Sequence, residues 1–129
     1  MPTSLFVYGT LKGRSSRQRH RLLRGARFVT GASISGVLYD LGRYPGLVRT
    51  SRSGQRVTGE LFELPENAAR RMLRKLDEYE GSEFVRRRVF VRLSNGKRRM
   101  AWAYLLRRKP PQSASRLHTG RYSLRRGAA

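Results

Sequence analysis

One helical period stands among many strand-like runs, and it sets the fold class. Residues 66–80, ENAARRMLRKLDEYE, repeat apolar side chains at helical spacing, with Pro65 before the first turn and Gly81 just past the end. The strand candidates are residues 4–8, 33–41 (SISGVLYDL), 46–50, 57–64 (VTGELFEL), 84–93 (FVRRRVFVRL) and 99–106 (RMAWAYLL). A short, very basic stretch at 15–24 is a second helix candidate. Asn95-Gly96 between the last two runs predicts a hairpin, since both residues tolerate positive φ. Ser53-Gly54 reads as another turn. Many strands and one central helix in a short chain predict an α+β fold with a strongly curled or closed sheet.

At 129 residues the chain is expected to form one domain. We place it at residues 1–108. Residues 109–129, with Pro110-Pro111, serines and arginines, read as a basic, mostly irregular C-terminal tail. The absence of cysteine excludes a disulfide framework, a thiolate metal site and a cysteine nucleophile. His20 and His118 each sit in a basic, polar stretch, and the carboxylates form no metal-binding spacing, so no metal centre is expected. No run reaches the ~18 apolar residues of a membrane span and the N-terminus does not read as a signal peptide, so the expected location is the cytoplasm, with no membrane partner.

The net charge is +21, from 25 Arg and 4 Lys against 8 acidic residues. Charge of that size favours nonspecific binding to nucleic acid by counterion release. The arginines are scattered from Arg14 to Arg126, a pattern that an Arg-biased coding sequence would also give. In 84–93, Val85, Val89, Val91 and Leu93 share one strand face, and Arg86, Arg88 and Arg92 share the other. Arg87 falls with the valines, as a rim arginine or as a charge facing a pocket.

The helix carries the chemical clue. Ala69, Met72, Leu73 and Leu76 form its apolar stripe, and one further turn brings Glu80 onto the same stripe. Asp77 lies about 80° from the stripe centre and Glu78 faces away. Glu80 is therefore the acidic residue of LDEYEG aimed at the core. It also sits at the negative end of the helix dipole, where a carboxylate costs ~0.3–1 kcal/mol. Gly81 is expected at the C′ position in the left-handed conformation. Burial and dipole both raise the pKa of Glu80 toward the range of a general base. The competing reading has Glu80 bent outward and paired with an arginine such as Arg86 or Arg88.

A lone carboxylate without nucleophile or metal suits a reaction in which the substrate supplies its own nucleophile and a carbonyl needs polarising. The run FVYGTL at 6–11 offers the second element: the backbone N–H groups of Gly9, Thr10 or Leu11 could form an oxyanion hole at the end of a strand. Taken alone, the same segment reads as an ordinary strand-ending turn.

VYGTLK near the N-terminus, RYPGLV at 43–48, VTGELFEL at 57–64 and LDEYEG at 76–81, followed by Phe84 and Arg86, stand in one order. Together they resemble the gamma-glutamylcyclotransferase-like family, in particular its short bacterial members and the gamma-glutamylamine cyclotransferases, over roughly residues 4–106. The resemblance implies a small mixed β-barrel with flanking helices and a cavity at one side. It implies release of 5-oxoproline from a γ-glutamyl amine or γ-glutamyl amino acid, without a cofactor. Glu80 then matches the family's catalytic glutamate, and Tyr8, Gly9, Thr10 and Leu11 match the loop that binds the γ-glutamyl moiety. Phe84 stands where members usually carry Tyr, and Gly120-Arg121-Tyr122 where a Gly-Asp-Trp-like sequence is common. The alternative is a non-catalytic module on the same scaffold that binds a metabolite or nucleic acid.

Overall fold

Strand β2 (Arg27–Asp40) is the longest element and pairs with four other strands. The structure is a computed structural model that describes residues 3–8, 21–41, 45–51, 54–110 and 115–117. The first half of β2 pairs antiparallel with β4 (Arg56–Leu64), from Arg27↔Glu63 to Ser35↔Arg56. β4 pairs antiparallel with β1 (Thr3–Val7), and β1 lies parallel to β6 (Arg98–Leu106) at Leu5↔Trp102. β6 forms a hairpin with β5 (Phe84–Leu93), and β5 returns to β2 through Ala32↔Leu93 and Ser33↔Arg92. The circuit β2–β4–β1–β6–β5 closes a small mixed barrel of five strands. Beyond the barrel, Leu38 of β2 pairs with both Leu47 of β3 (Pro45–Arg49) and Leu117 of β7 (Ser115–Leu117), so these two short strands take opposite edges of β2.

Strand alternation divides the apolar side chains into two cores. Phe6, Ile34, Val57, Leu61, Val89, Val91, Ala101 and Ala103 fill the barrel. Leu5, Val7, Phe62, Leu64, Phe84 and Tyr104 face outward from the same strands and are covered by helix α1 (Ala69–Glu80). The helix contributes Ala69, Leu73 and Leu76, the stripe read from the sequence, with Met72 at its edge. Each buried leucine there contributes roughly 1.5–3 kcal/mol relative to exposure. Leu23, from a single 3-10 turn at Arg21–Leu23, closes the side of this second core.

The α+β barrel expectation holds, with local differences that have physical causes. α1 begins at Ala69 rather than at residue 66, since Ala68 stands at the N-cap with no side chain able to bond the first free N–H groups. Gly81 has the expected positive φ of 82°, a conformation that disfavours any side chain, but its ψ of −171° is extended rather than left-handed helical. β2 starts six residues before residue 33 because Arg27–Thr30 continue the ladder across an irregularity between Phe28 and Thr30, which breaks the simple alternation. The β5–β6 turn closes through Leu93 N–H to the Lys97 carbonyl (2.7 Å) with Gly96 at φ 88°; Asn95 keeps negative φ, so the loop holds one positive-φ residue rather than two. Of the 15–24 helix candidate, residues 15–20 lie outside the described residues, and Arg21–Leu23 form only the 3-10 turn. Within the segment read as a tail, Ser115–Leu117 form β7, and residues 111–114 and 118–129 lie outside the described set. Arg87, the exception to the alternation, is exposed. No helix among the described residues is long and apolar enough to cross a membrane.

Candidate active site

Tyr8, Tyr104 and Asp77 are joined by hydrogen bonds, and Glu80 at the end of α1 acts on both hydroxyls through its charge. Tyr8 follows β1 directly and packs against the barrel core. Its hydroxyl donates to the Tyr104 carbonyl and accepts from the Leu47 N–H at 3.2 Å. The phenol thus ties three strands together: β1 to its parallel neighbour β6, and both to β3. Leu47 reaches it because residue 46 is glycine. A Cβ at Gly46 would lie 2.6 Å from Leu106 Cγ, inside contact distance, so a side chain there would require Leu106 to shift. Burial, reinforced by the charge of Glu80 and opposed by the Leu47 N–H, pushes the Tyr8 hydroxyl far above its ordinary value. Tyr8 is therefore a neutral donor and acceptor.

Glu80 is the last residue of α1 and is half-buried. Burial raises its carboxyl from 4.5 to about 7. The helix C-terminus acts in the same direction. Its charge acts on the hydroxyls of both Tyr8 and Tyr104, raising each further above its ordinary value. Among the described residues Glu80 forms no ion pair. The competing expectation, Glu80 paired with an arginine such as Arg86 or Arg88, does not hold for any described arginine. Arg86 instead grips Asp77, with Nε 2.8 Å from Oδ1 and Nη2 3.2 Å from Oδ2. Arg88 lies over the Trp102 ring, 5.1 Å from its centroid, with Arg86 at 4.4 Å from the same ring.

Asp77 is the hub that fixes this end of the helix. The Tyr104 hydroxyl donates to Asp77 Oδ1 at 2.6 Å, beside the Arg86 fork. Burial opposes the Asp77 charge, but the hydrogen bonds from Arg86 and Tyr104 and the Arg86 charge outweigh it and hold the carboxyl below its usual range. Two carboxylates three residues apart on one helix are thus driven in opposite directions. Asp77 stays ionised and bound, while Glu80, raised to about 7, has no cationic partner among the described residues. That division of environments is the pattern expected where one carboxylate holds structure and the other exchanges a proton.

Of the residues singled out in the sequence, Tyr8 and Glu80 lie among the described residues and are coupled through charge. Gly9, Thr10 and Leu11 lie outside the described residues, as do Gly120, Arg121 and Tyr122. Phe84 is buried in the core beneath the helix. Sequence reasoning missed Asp77, Tyr104 and the Leu47 N–H. Asp77 and Tyr104 are 27 positions apart, and no local pattern links them. The signal within reach was the antiparallel register, which sets Arg86 directly opposite Tyr104.

Comparison with known proteins agrees with this geometry. The family model described as gamma-glutamyl cyclotransferase, AIG2-like, matches residues 5–124. A Vibrio cholerae protein named "Putative gamma-glutamylcyclotransferase" is 35% identical over 118 residues, covering 89% of this chain and 87% of that one. Among solved structures, YkqA from Bacillus subtilis superposes with a TM-score of 0.71 at 25% identity, over 95% of this chain and 40% of YkqA. An AIG2-like protein from Mus musculus superposes with a TM-score of 0.67 at 26% identity, over 86% of this chain and 81% of that one. With most of its length matched by the family model, and with the barrel to go with it, the chain belongs to the gamma-glutamyl cyclotransferase, AIG2-like family.

Proposed function

We propose that this protein releases 5-oxoproline from a γ-glutamyl amine or γ-glutamyl amino acid, with Glu80 as the single general base and acid. Glu80 takes a proton from the substrate's α-ammonium group. The freed amine attacks its own γ-carbonyl carbon, so a C–N bond forms and closes a five-membered ring. Backbone N–H groups of Gly9, Thr10 or Leu11 hold the developing oxyanion. Collapse of the tetrahedral intermediate breaks the bond to the leaving nitrogen; Glu80 returns its proton there, and the ring nitrogen gives its second proton to the departing amine, which leaves as an ammonium. The nucleophile and electrophile belong to one molecule, so positioning supplies much of the rate. Tyr8 lines the γ-glutamyl subsite.

The observation that carries this reading is the Glu80 carboxyl, raised to about 7 and free of ion pairing among the described residues. A base poised near the working pH is populated in its ionised form and still able to give the proton back. Family membership supports cyclotransferase chemistry in general. The test is 5-oxoproline release from a panel of γ-glutamyl compounds by the wild type and by Glu80→Gln. The variant is expected to fold normally and to lose at least 100-fold in kcat/KM, in line with loss of general acid–base catalysis. Unchanged turnover in Glu80→Gln would refute the assignment.

A further inference from the structure

No acidic residue follows Glu83 in the sequence, so the entire β5–β6 hairpin is free of negative charge while carrying Arg86, Arg87, Arg88, Arg92, Lys97, Arg98 and Arg99. Its outward row is ordered by the register: Arg88 faces Trp102, Phe90 faces Met100, and Arg92 faces Arg98. The helix covers the Tyr104 end of this row. The other end is open, with Phe90 55% and Met100 42% exposed.

The cationic row continues sideways across the barrel. Ser33 of β2 pairs with Arg92, and the Arg56 guanidinium of β4 is pinned on the far side of Ser33. Arg56 donates from Nε to Ser33 Oγ at 2.8 Å, from Nη1 to Ser35 Oγ at 3.0 Å and from Nη2 to the Ser33 carbonyl at 3.0 Å. Burial and then the Arg92 charge depress the Arg56 guanidinium below its ordinary value. Like charges directly opposite on paired strands, as at Arg92 and Arg98, destabilise a sheet. Among the described residues none of Arg56, Arg92 and Arg98 has a carboxylate within ion-pair distance. The fold therefore holds three repelling cations in a row across β4, β2, β5 and β6. Strand spacing makes that row about 14 Å wide.

We infer that this outer face of the barrel, Arg56–Arg92–Arg98 with the exposed Phe90–Met100 pair, is a docking surface for single-stranded nucleic acid. Charge complementarity selects a polyanion, and the rings select among polyanions. The Arg98 guanidinium already lies over the Phe90 ring, 5.1 Å from its centroid, as Arg88 does over Trp102. Planar cations and rings laid together form a platform on which bases stack. A duplex hides its base faces and would engage the charges alone. A lipid headgroup has no planar face to stack. The surface is separate from Glu80 and Tyr8, so docking and turnover are independent properties of the chain.

The experiment is an anisotropy titration of the full chain with a labelled oligouridylate of about twelve nucleotides, a length within reach of such platforms, over a range of salt. Phe90→Ala is expected to weaken binding fivefold or more without altering the salt slope. Arg92→Ala/Arg98→Ala is expected to lower the slope of log K against log salt by about 1.4. The control Arg70→Ala/Arg74→Ala, which removes two exposed charges from α1, is expected to leave the Phe90 effect intact and to change affinity by less than the stripe variant. All three variants keep the wild-type rate of 5-oxoproline release, which separates this test from that of the catalytic reading. Equal losses in the stripe and control variants, an unchanged Phe90→Ala, or binding to anionic phosphatidylglycerol vesicles without binding to the oligonucleotide would overturn the inference.

Discussion

The Arg86 guanidinium and the Asp77 carboxylate form a two-point contact, Nε to Oδ1 at 2.8 Å and Nη2 to Oδ2 at 3.2 Å, one turn before Glu80. This contact decides which carboxylate of LDEYEG receives the cation. It anchors the end of α1 to β5, and Tyr104 adds a second anchor from β6. Glu80 is left without an ion pair among the described residues, its charge acting on the hydroxyls of Tyr8 and Tyr104.

Asp77→Asn is expected to cost about 1 kcal/mol, a modest figure because the Asp77 side chain is 42% and that of Arg86 24% exposed. The native carboxyl is held below its unfolded value, so its stabilisation is complete at neutral pH and is lost as pH falls through the ordinary carboxylate range and below. Thermal melts from pH 7 down to acid should therefore converge for the wild type and Asp77→Asn. A constant gap across that range would contradict this account of the contact.

Glu80 predicts the opposite pH dependence. Its folded-state value lies above its unfolded value, from 4.5 to about 7, so the native state binds more protons in that window. Stability is lost as pH rises through it, by at most about 3 kcal/mol. Glu80→Gln removes the titration. Urea unfolding at pH 5 and pH 8 should show the variant equal to or more stable than the wild type at the higher pH, with its own pH dependence reduced.

Tyr8→Phe leaves the Leu47 N–H without its acceptor and the Tyr104 carbonyl without its donor. The expected cost is about 1–3 kcal/mol, read by chemical denaturation. Substrate affinity should fall with it if the hydroxyl network shapes the γ-glutamyl subsite. A variant as stable as the wild type would show that water replaces the hydroxyl at no cost.

Gly46→Ala drives a methyl group into Leu106, whose side-chain atoms lie 2.6–2.8 Å from the Cβ position. The expected destabilisation is about 1–3 kcal/mol. The three nearest atoms all belong to the one side chain, so Leu106→Ala in the same chain should recover part of the loss. A double-mutant cycle measures that coupling, and strict additivity would place the strain elsewhere.

Much of this architecture is legible in the sequence because it rests on short-range rules. The stripe Ala69, Leu73, Leu76 and the step to Glu80 follow from helical period alone, and the β5–β6 hairpin from alternation and Asn95-Gly96. The start of β2 was not legible: Arg27 and Phe28 are exposed, and the irregularity before Thr30 shifts the alternation. Gly9, Thr10 and Leu11 are conspicuous in sequence, yet they lie outside the described residues. The converse holds for Tyr104. It reads as one more aromatic in RMAWAYLL, and only barrel closure brings its hydroxyl to Asp77 and its carbonyl to Tyr8.

The most direct test of the whole account is the pH profile of kcat/KM for 5-oxoproline release from a γ-glutamyl substrate. A base at Glu80 predicts a limb of unit slope that falls below a midpoint near 7, the value burial gives this carboxyl, and a residual rate in Glu80→Gln without that limb. A flat profile across that midpoint, or the same limb surviving in Glu80→Gln, would contradict it.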